Sequence, residues 1–140
     1  LGKRPQVLRK EVPGFVANRL QSAIFRECVH LVTEGVVTMQ ELDDIVTASI
    51  GPRWAVAGPF RSFHLGGGEG GLAHFMDHLG PGMESRWAAM AEEEVAFDGP
   101  TRRLLTDQAQ DFTGTVGELA AERDRKQTAV IRALTETPGA

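Results

Sequence analysis

A chain of 140 residues, 41% of them hydrophobic, with a formal charge of −4, is one domain by size and long enough for a core. Its 15 basic and 19 acidic residues are interspersed, which argues against nucleic acid and anionic membrane surfaces as partners. No apolar run approaches the ~20 residues of a membrane span, and no signal peptide stands out. A single cysteine, Cys28, excludes a disulfide framework and makes a reducing cytoplasm the expected compartment.

The opening Leu1-Gly2-Lys3 has no Met and reads as a cut from something longer. Residues 5–10 carry the only strand signal. A strand without a partner is not stable alone, so this one is a tail or belongs to a sheet outside the chain. The densest information follows, in Glu11 through Leu20. Pro13 suits a first helical turn, where its missing N–H would be unpaired anyway. The pattern predicts a helix over 13–34, apolar on more than one face and therefore buried on several sides. Asn18 is expected as a buried amide in its first turns. It is either a core amide satisfied by backbone or a ligand for a hydroxyl or carbonyl, since it donates and accepts at once. Arg19 is a surface charge or a clamp to a neighbouring domain. Cys28 reads as core.

Gly35 is the expected stop of this helix. Thr38 and Glu41 form a capping box, with Val37 and Leu42 as its hydrophobic staple. Leu42, Ile45, Val46 and Ile50 give a second helix, ended by Gly51-Pro52. Gly51 to Phe60 is expected to be a loop. Its large side chains, Arg53, Trp54, Val56 and Phe60, mark a packed lid or a binding loop. A helical turn or two reaches Leu65, a flexible glycine loop spans 66–71, and a short helix runs to Leu79. Gly80-Pro81-Gly82 should break it. Residues 83–97 read as a helix anchored by Trp87, Met90 and Val95. Another helix starts at Thr101 and runs to about Phe112. A second capping box, Thr115 with Glu118, opens a last helix to about Thr135 with a charged middle.

Self-sufficient chemistry is hard to find. Gly66, Gly68 and Gly71 match G-x-G-x-x-G in spacing, but no strand precedes them and no acid ends a strand about twenty residues on. His74 and His78 have zinc-compatible spacing with no third ligand, so no metal is expected. Neither a serine elbow nor a reactive cysteine setting is present. Glu92-Glu93-Glu94 reads as a solvated helix face and Asp43-Asp44 as an exposed side.

Four stretches nevertheless carry a resemblance: Gly2-Lys3, Val7 and Lys10 through Leu20; Leu31-Val32-Glu34-Gly35-Val36 with Leu42-Asp43; Gly51, Arg53-Trp54-Ala55 and Gly58-Pro59-Phe60; and His64-Leu65-Gly67-Gly68 with Leu72. They resemble the C-terminal domain of the 3-hydroxyacyl-CoA dehydrogenase family. Within it, Arg53-Trp54-Ala55, the glycine run and the tail pattern Asp107, Gly114, Leu119 and Arg123-Asp124 look closest to the carnitine 3-dehydrogenase and gulonate 3-dehydrogenase (lambda-crystallin) branch. Acyl-CoA members more often have a smaller apolar pair where Arg53-Trp54 stands.

The resemblance implies an all-α, dimerising helical domain of the 6-phosphogluconate dehydrogenase C-terminal-like type over 13–140. Residues 1–12 would be the linker and last strand of an N-terminal Rossmann domain outside the chain. That domain would bind NAD and supply a His–Glu pair, the His acting as base on a 3-hydroxyl. The family's substrate-site Asn falls on Asn18, and the chain alone is expected to be inactive. The implied partners are the Rossmann domain, a second copy, and a free hydroxy acid such as carnitine or a 3-hydroxyacyl-CoA. Arg53 could hold a carboxylate in bidentate fashion and Trp54 a quaternary ammonium. Alternatively, Arg53 pairs with an acid and Trp54 packs its loop. A non-catalytic helical dimerisation module is the rival reading.

Overall fold

The computed structural model describes residues 5–136. Six helices follow in order: α1 Phe15–Thr33, α2 Met39–Ala48, α3 Ile50–Gly66, α4 Gly71–Glu92, α5 Gly99–Gln108 and α6 Val116–Glu136. Two short 3₁₀ turns, Gly68–Gly70 and Ala109–Asp111, complete an all-α fold. Among the described residues there is no strand, and residues 5–12 form neither helix nor strand.

The local chemistry explains most boundaries. The Thr38 hydroxyl accepts from the Glu41 N–H, while the Glu41 carboxylate accepts from the Thr38 N–H at 2.8 Å, a complete capping box. At the end of α1, Gly35 takes φ 68°, and the Val36 N–H reaches back to the Leu31 carbonyl at 2.9 Å. Asp98 caps α5, with Pro100 in its first turn.

Four expectations need correction. First, α1 starts at Phe15, not Pro13. Pro13 and Gly14 instead form a turn closed by Phe15 N–H to Val12 C=O at 3.0 Å, with Gly14 at φ 78°, ψ 4°, as a type II turn requires. Second, residues 51–60 are helical. Gly51-Pro52 opens α3 rather than ending α2, because a first turn tolerates Pro. The helix kinks only at Gly58, φ 67°, before Pro59. Ser49 is both the last cap of α2 and the first of α3. Third, α4 runs unbroken through Gly80-Pro81-Gly82 and ends at Glu92. A proline deletes one intrahelical donor, and packing of α4 on α3 outweighs that loss here. Fourth, the glycine run is not a flexible loop. A Cβ on Gly67 would sit 1.8 Å from the Gly71 carbonyl oxygen, and one on Gly71, at φ 59°, would sit 2.5 Å from the His64 ring. The His64 Nδ1 accepts from the Leu72 N–H at 3.2 Å and so caps the start of α4.

Helices α1 to α4 pack on their neighbours in chain order. The Arg26 guanidinium closes the circuit from α1 to the end of α4, donating to the Met90 carbonyl at 2.9 Å and the Glu93 carbonyl at 2.5 Å. Met39 N–H donates to the Gln108 side chain at 2.8 Å and ties α5 to α2. The buried apolar set is small: Val29 (3% exposed), Val32 (4%) and Leu42 (9%). α6 buries no residue. Trp87, expected as an anchor, is 58% exposed. The accessible surface is 11584 Å², whereas a folded monomer of this mass exposes about 7,100 Å². The excess is about 4,500 Å².

Two predictions follow from the turns and caps. Gly67→Ala should cost about 1–3 kcal/mol, because backbone must move. Gly35→Ala, left-handed but in open space, should cost about 1 kcal/mol. Equal losses in urea unfolding would show that the glycine turn is not close-packed. Glu41, Asp98 and Glu118 each accept a backbone N–H, and this holds their carboxyls below the ordinary value. A depressed folded pKa gives stability that is present above the unfolded value and lost as pH falls through the folded one. Helical ellipticity should therefore fall as pH drops below about 4. The combined Glu41→Gln and Glu118→Gln variant should show a shallower fall.

Candidate functional site

The entry to α1 is the most strained backbone described. Gly14 is left-handed, and Phe15, at φ 51°, is the only non-glycine residue with positive φ among those described. A bulky side chain rarely accepts that region, and strain of this kind collects at functional sites. Phe15 is 60% exposed, so packing within this chain does not explain the strain.

Asn18 follows three residues later. It was expected to be buried; it is exposed. Its amide has no hydrogen-bond partner among the described residues, which removes the reading of a core amide satisfied by backbone. Asn18, Gln21, Ser22, Ile24, Phe25 and Cys28 line an open, mostly apolar cleft of about 720 Å³. A second depression of about 690 Å³ shares Asn18 and adds Pro13, Gly14, Arg19 and Arg26. Gly14 keeps this approach open, since a Cβ there would lie 3.6 Å from the Arg19 side chain and 3.8 Å from that of Asn18.

The cleft is an extension of the core. Asn18, Ser22, Phe25, Val29 and Val32 follow helical spacing along one face of α1. At the C-terminal end that face is buried. At the other end the described residues leave it largely open, and Phe25 remains 55% exposed. Phe25 meets Phe97 at 6.2 Å between ring centroids, and the Arg102 guanidinium lies 5.9 Å from the Phe97 ring centre. Ser22 and Phe25 were legible from their i+4 and i+7 spacing to Asn18. Phe97 arrives from the segment after α4 and left no sequence signal.

Cys28 is half-buried rather than fully core. Burial, then the Asp43 carboxylate, push its thiol above the ordinary value, so it is held as the neutral thiol. Glu93 is not part of a solvated face. It approaches His30 at 3.5 Å, and one of its carboxylate oxygens is buried without a partner. His74 and His78 stack at 4.0 Å, and the described residues contain no group of three or more metal-ligating side chains.

Arg53 and Trp54 lie in the opening turns of α3, and neither lines the Asn18 cleft. The Arg53 Nε donates to the Ser49 carbonyl at 3.3 Å, across the α2–α3 junction. Trp54 is half-buried. The chain by itself does not bring these two side chains to Asn18. Of the glycine run, Gly67 packs on the Gly71 backbone and Gly71 on the His64 ring, so these two serve close approach within the chain.

The described residues thus form an all-helical domain with an open cleft that carries the amides of Asn18 and Gln21. Residues 14–102 match the family described as 3-hydroxyacyl-CoA dehydrogenase, C-terminal domain, and the chain belongs to that family. Its sequence is 42% identical over 136 residues to a protein from Nocardiopsis dassonvillei named L-carnitine dehydrogenase, covering 96% of this chain and 41% of that protein. An L-carnitine dehydrogenase of Streptomyces coelicolor is 43% identical over 135 residues, covering 94% of this chain and 42% of the relative. One of Pseudomonas aeruginosa is 39% identical over 137 residues, covering 98% and 43%. The chain thus spans about two fifths of the length of these relatives. No helix among the described residues is long and apolar enough to cross a membrane.

Asn18→Ala in the full-length gene product should lower turnover at least tenfold and leave the melting temperature nearly unchanged, because no internal partner is orphaned. An active but destabilised variant would show the amide to be structural.

Proposed function

We propose that the full-length gene product is an NAD-dependent dehydrogenase that oxidises the 3-hydroxyl of a small free hydroxy acid of the carnitine type. This chain is its substrate-side helical domain. The observation that carries the reading is the set of relatives named L-carnitine dehydrogenase, about 40% identical over nearly the whole chain. An amide free to donate and accept, in a cleft open to solvent, suits a hydroxyl-bearing ligand. NAD and the base that takes the hydroxyl proton belong to an N-terminal Rossmann domain, with residues 1–12 as its last strand and the linker from it. The chain alone is inactive. The enzyme works in the cytoplasm as a homodimer. The apolar side chains left open along α1, Phe15, Val16, Leu20, Ile24 and Phe25, support the dimer, because exposed apolar patches of this kind mark interfaces.

Arg53 and Trp54 join this site from outside the Asn18 cleft, Arg53 on the carboxylate and Trp54 on the quaternary ammonium. The rival reading, a non-catalytic dimerisation module, draws on the lack of a complete catalytic set among the described residues. The test is NAD reduction by the full-length product with carnitine, gulonate and 3-hydroxybutyryl-CoA in parallel. Carnitine should be the best substrate; exclusive use of the thioester would overturn the free-acid reading, and no reduction at all would favour the module. Arg53→Met should raise the Michaelis constant for carnitine about tenfold to a hundredfold with turnover largely intact, as expected for a lost charge-assisted bond of roughly 1.5–3 kcal/mol. Arg53→Lys should recover only part of this.

A further inference from the structure

The left-handed torsion of Phe15, φ 51°, is unaccounted for by its own surroundings. A bulky residue keeps such a torsion only where neighbouring structure over-determines it. The turn closed by Phe15 N–H to Val12 C=O fixes Pro13 and Gly14 and leaves φ of Phe15 free. The ring, 60% exposed, does not fix it either. Glycine would take this torsion without strain but would not hold it. An aromatic residue holds it when its ring has a partner.

The torsion sits where it has most leverage. It is the rotation between the entering segment and α1. An ordinary helical residue has φ of about −63°, so the observed value swings everything before Phe15 by about 110° relative to the helix. Asn18 stands three residues beyond that bond and is carried rigidly by α1. The N-terminal domain of the proposed full-length product lies before it and enters through residues 5–12. One rotation therefore sets the angle at which Asn18 meets that domain. The ring also stands on the right side. Helical spacing places Phe15 about 60° around α1 from Asn18. Val16, Leu20 and Ile24 lie about 120–160° from Asn18, a separate apolar stripe left for the second copy.

We propose that Phe15 is a positioning residue. Its ring docks on the N-terminal domain, and that contact locks the left-handed torsion and with it the direction of Asn18. The inference rests on the proposed function, in which Asn18 meets the substrate, and names the residue that aims it. The occupant is the N-terminal domain because that domain is joined to α1 through this very bond. The chain spans about two fifths of the length of its L-carnitine dehydrogenase relatives, which leaves ample partner surface outside it.

The experiment uses the full-length gene product, with turnover measured on its best hydroxyl substrate. Phe15→Pro forces φ to about −65° at a first helical position that otherwise favours proline. It should lower turnover at least about tenfold with helical ellipticity unchanged. Phe15→Leu, which keeps an apolar anchor, should retain most of the activity. In an Asn18→Ala background the further loss from Phe15→Pro should be under about twofold, because residues that act as a unit do not add. Trypsin can cut at Arg9 and Lys10, both exposed in this chain. Phe15→Ala should speed that cleavage about tenfold or more and leave the sedimentation coefficient unchanged. Full turnover in Phe15→Pro, or losses that multiply with Asn18→Ala, would overturn the positioning role. Unchanged cleavage, or dissociation of the dimer by Phe15→Ala, would overturn the docking of the ring. Cleavage and sedimentation use no substrate, so a protein that passes both but reduces no NAD sinks the proposed function, whereas an active enzyme with unchanged cleavage sinks the lock alone.

Discussion

Burial at one end of α1 is what the rest of the molecule hangs from. Val29 and Val32 are the deepest apolar side chains described, and Leu42 of α2 is the third. Arg26, on the same stretch of α1, reaches the last carbonyl groups of α4. Hydrogen bonds from a charged donor contribute about 1.5–3 kcal/mol. One half of α1 is thus held by hydrophobic contact and by this clamp. The other half projects beyond the bundle with its core face uncovered. The open cleft at Asn18 is a direct result: the same face that is core at Val32 is surface at Asn18.

This arrangement also accounts for what could be read from the residues. Caps were legible because they are local. Thr38 with Glu41, Thr115 with Glu118, and Gly35 specify their own geometry through neighbours three residues away. The all-α class was legible from periodicity. The breaks were misread where tertiary packing overrides local preference, at Gly51-Pro52 and Gly80-Pro81-Gly82. Proline forbids little in a first turn and deletes a single bond in an interior one. The glycine run was misread for a different reason. Glycine serves both flexibility and close approach, and only the position of the Gly71 carbonyl and the His64 ring tells the two apart.

The site was half legible. Asn18 stood out by chemistry, since it is an amide in the first turns of an apolar helix, but its exposure could not be read from that helix. An all-round apolar pattern says that several faces are covered by something; it does not say that the cover comes from the same chain. Arg53 and Trp54 were read as a loop and lie in a helix, with the Arg53 side chain partly engaged by Ser49. Glu93 was taken as solvated because it stands among acids. Its partner, His30, is more than sixty positions away in sequence.

The junction at Ser49 has a mechanical meaning. One residue, at φ −124°, ψ −85°, ends α2 and begins α3, so no slack separates the two. Each residue of a helix turns the next by about 100°. An insertion or deletion at this elbow would swing the following helical face by that angle, carrying Arg53, Trp54 and the surface that packs on α4 to the wrong side. The stretch behaves as a keyed shaft rather than a hinge. Length variation that loops elsewhere absorb freely would here be read out as rotation of half the domain.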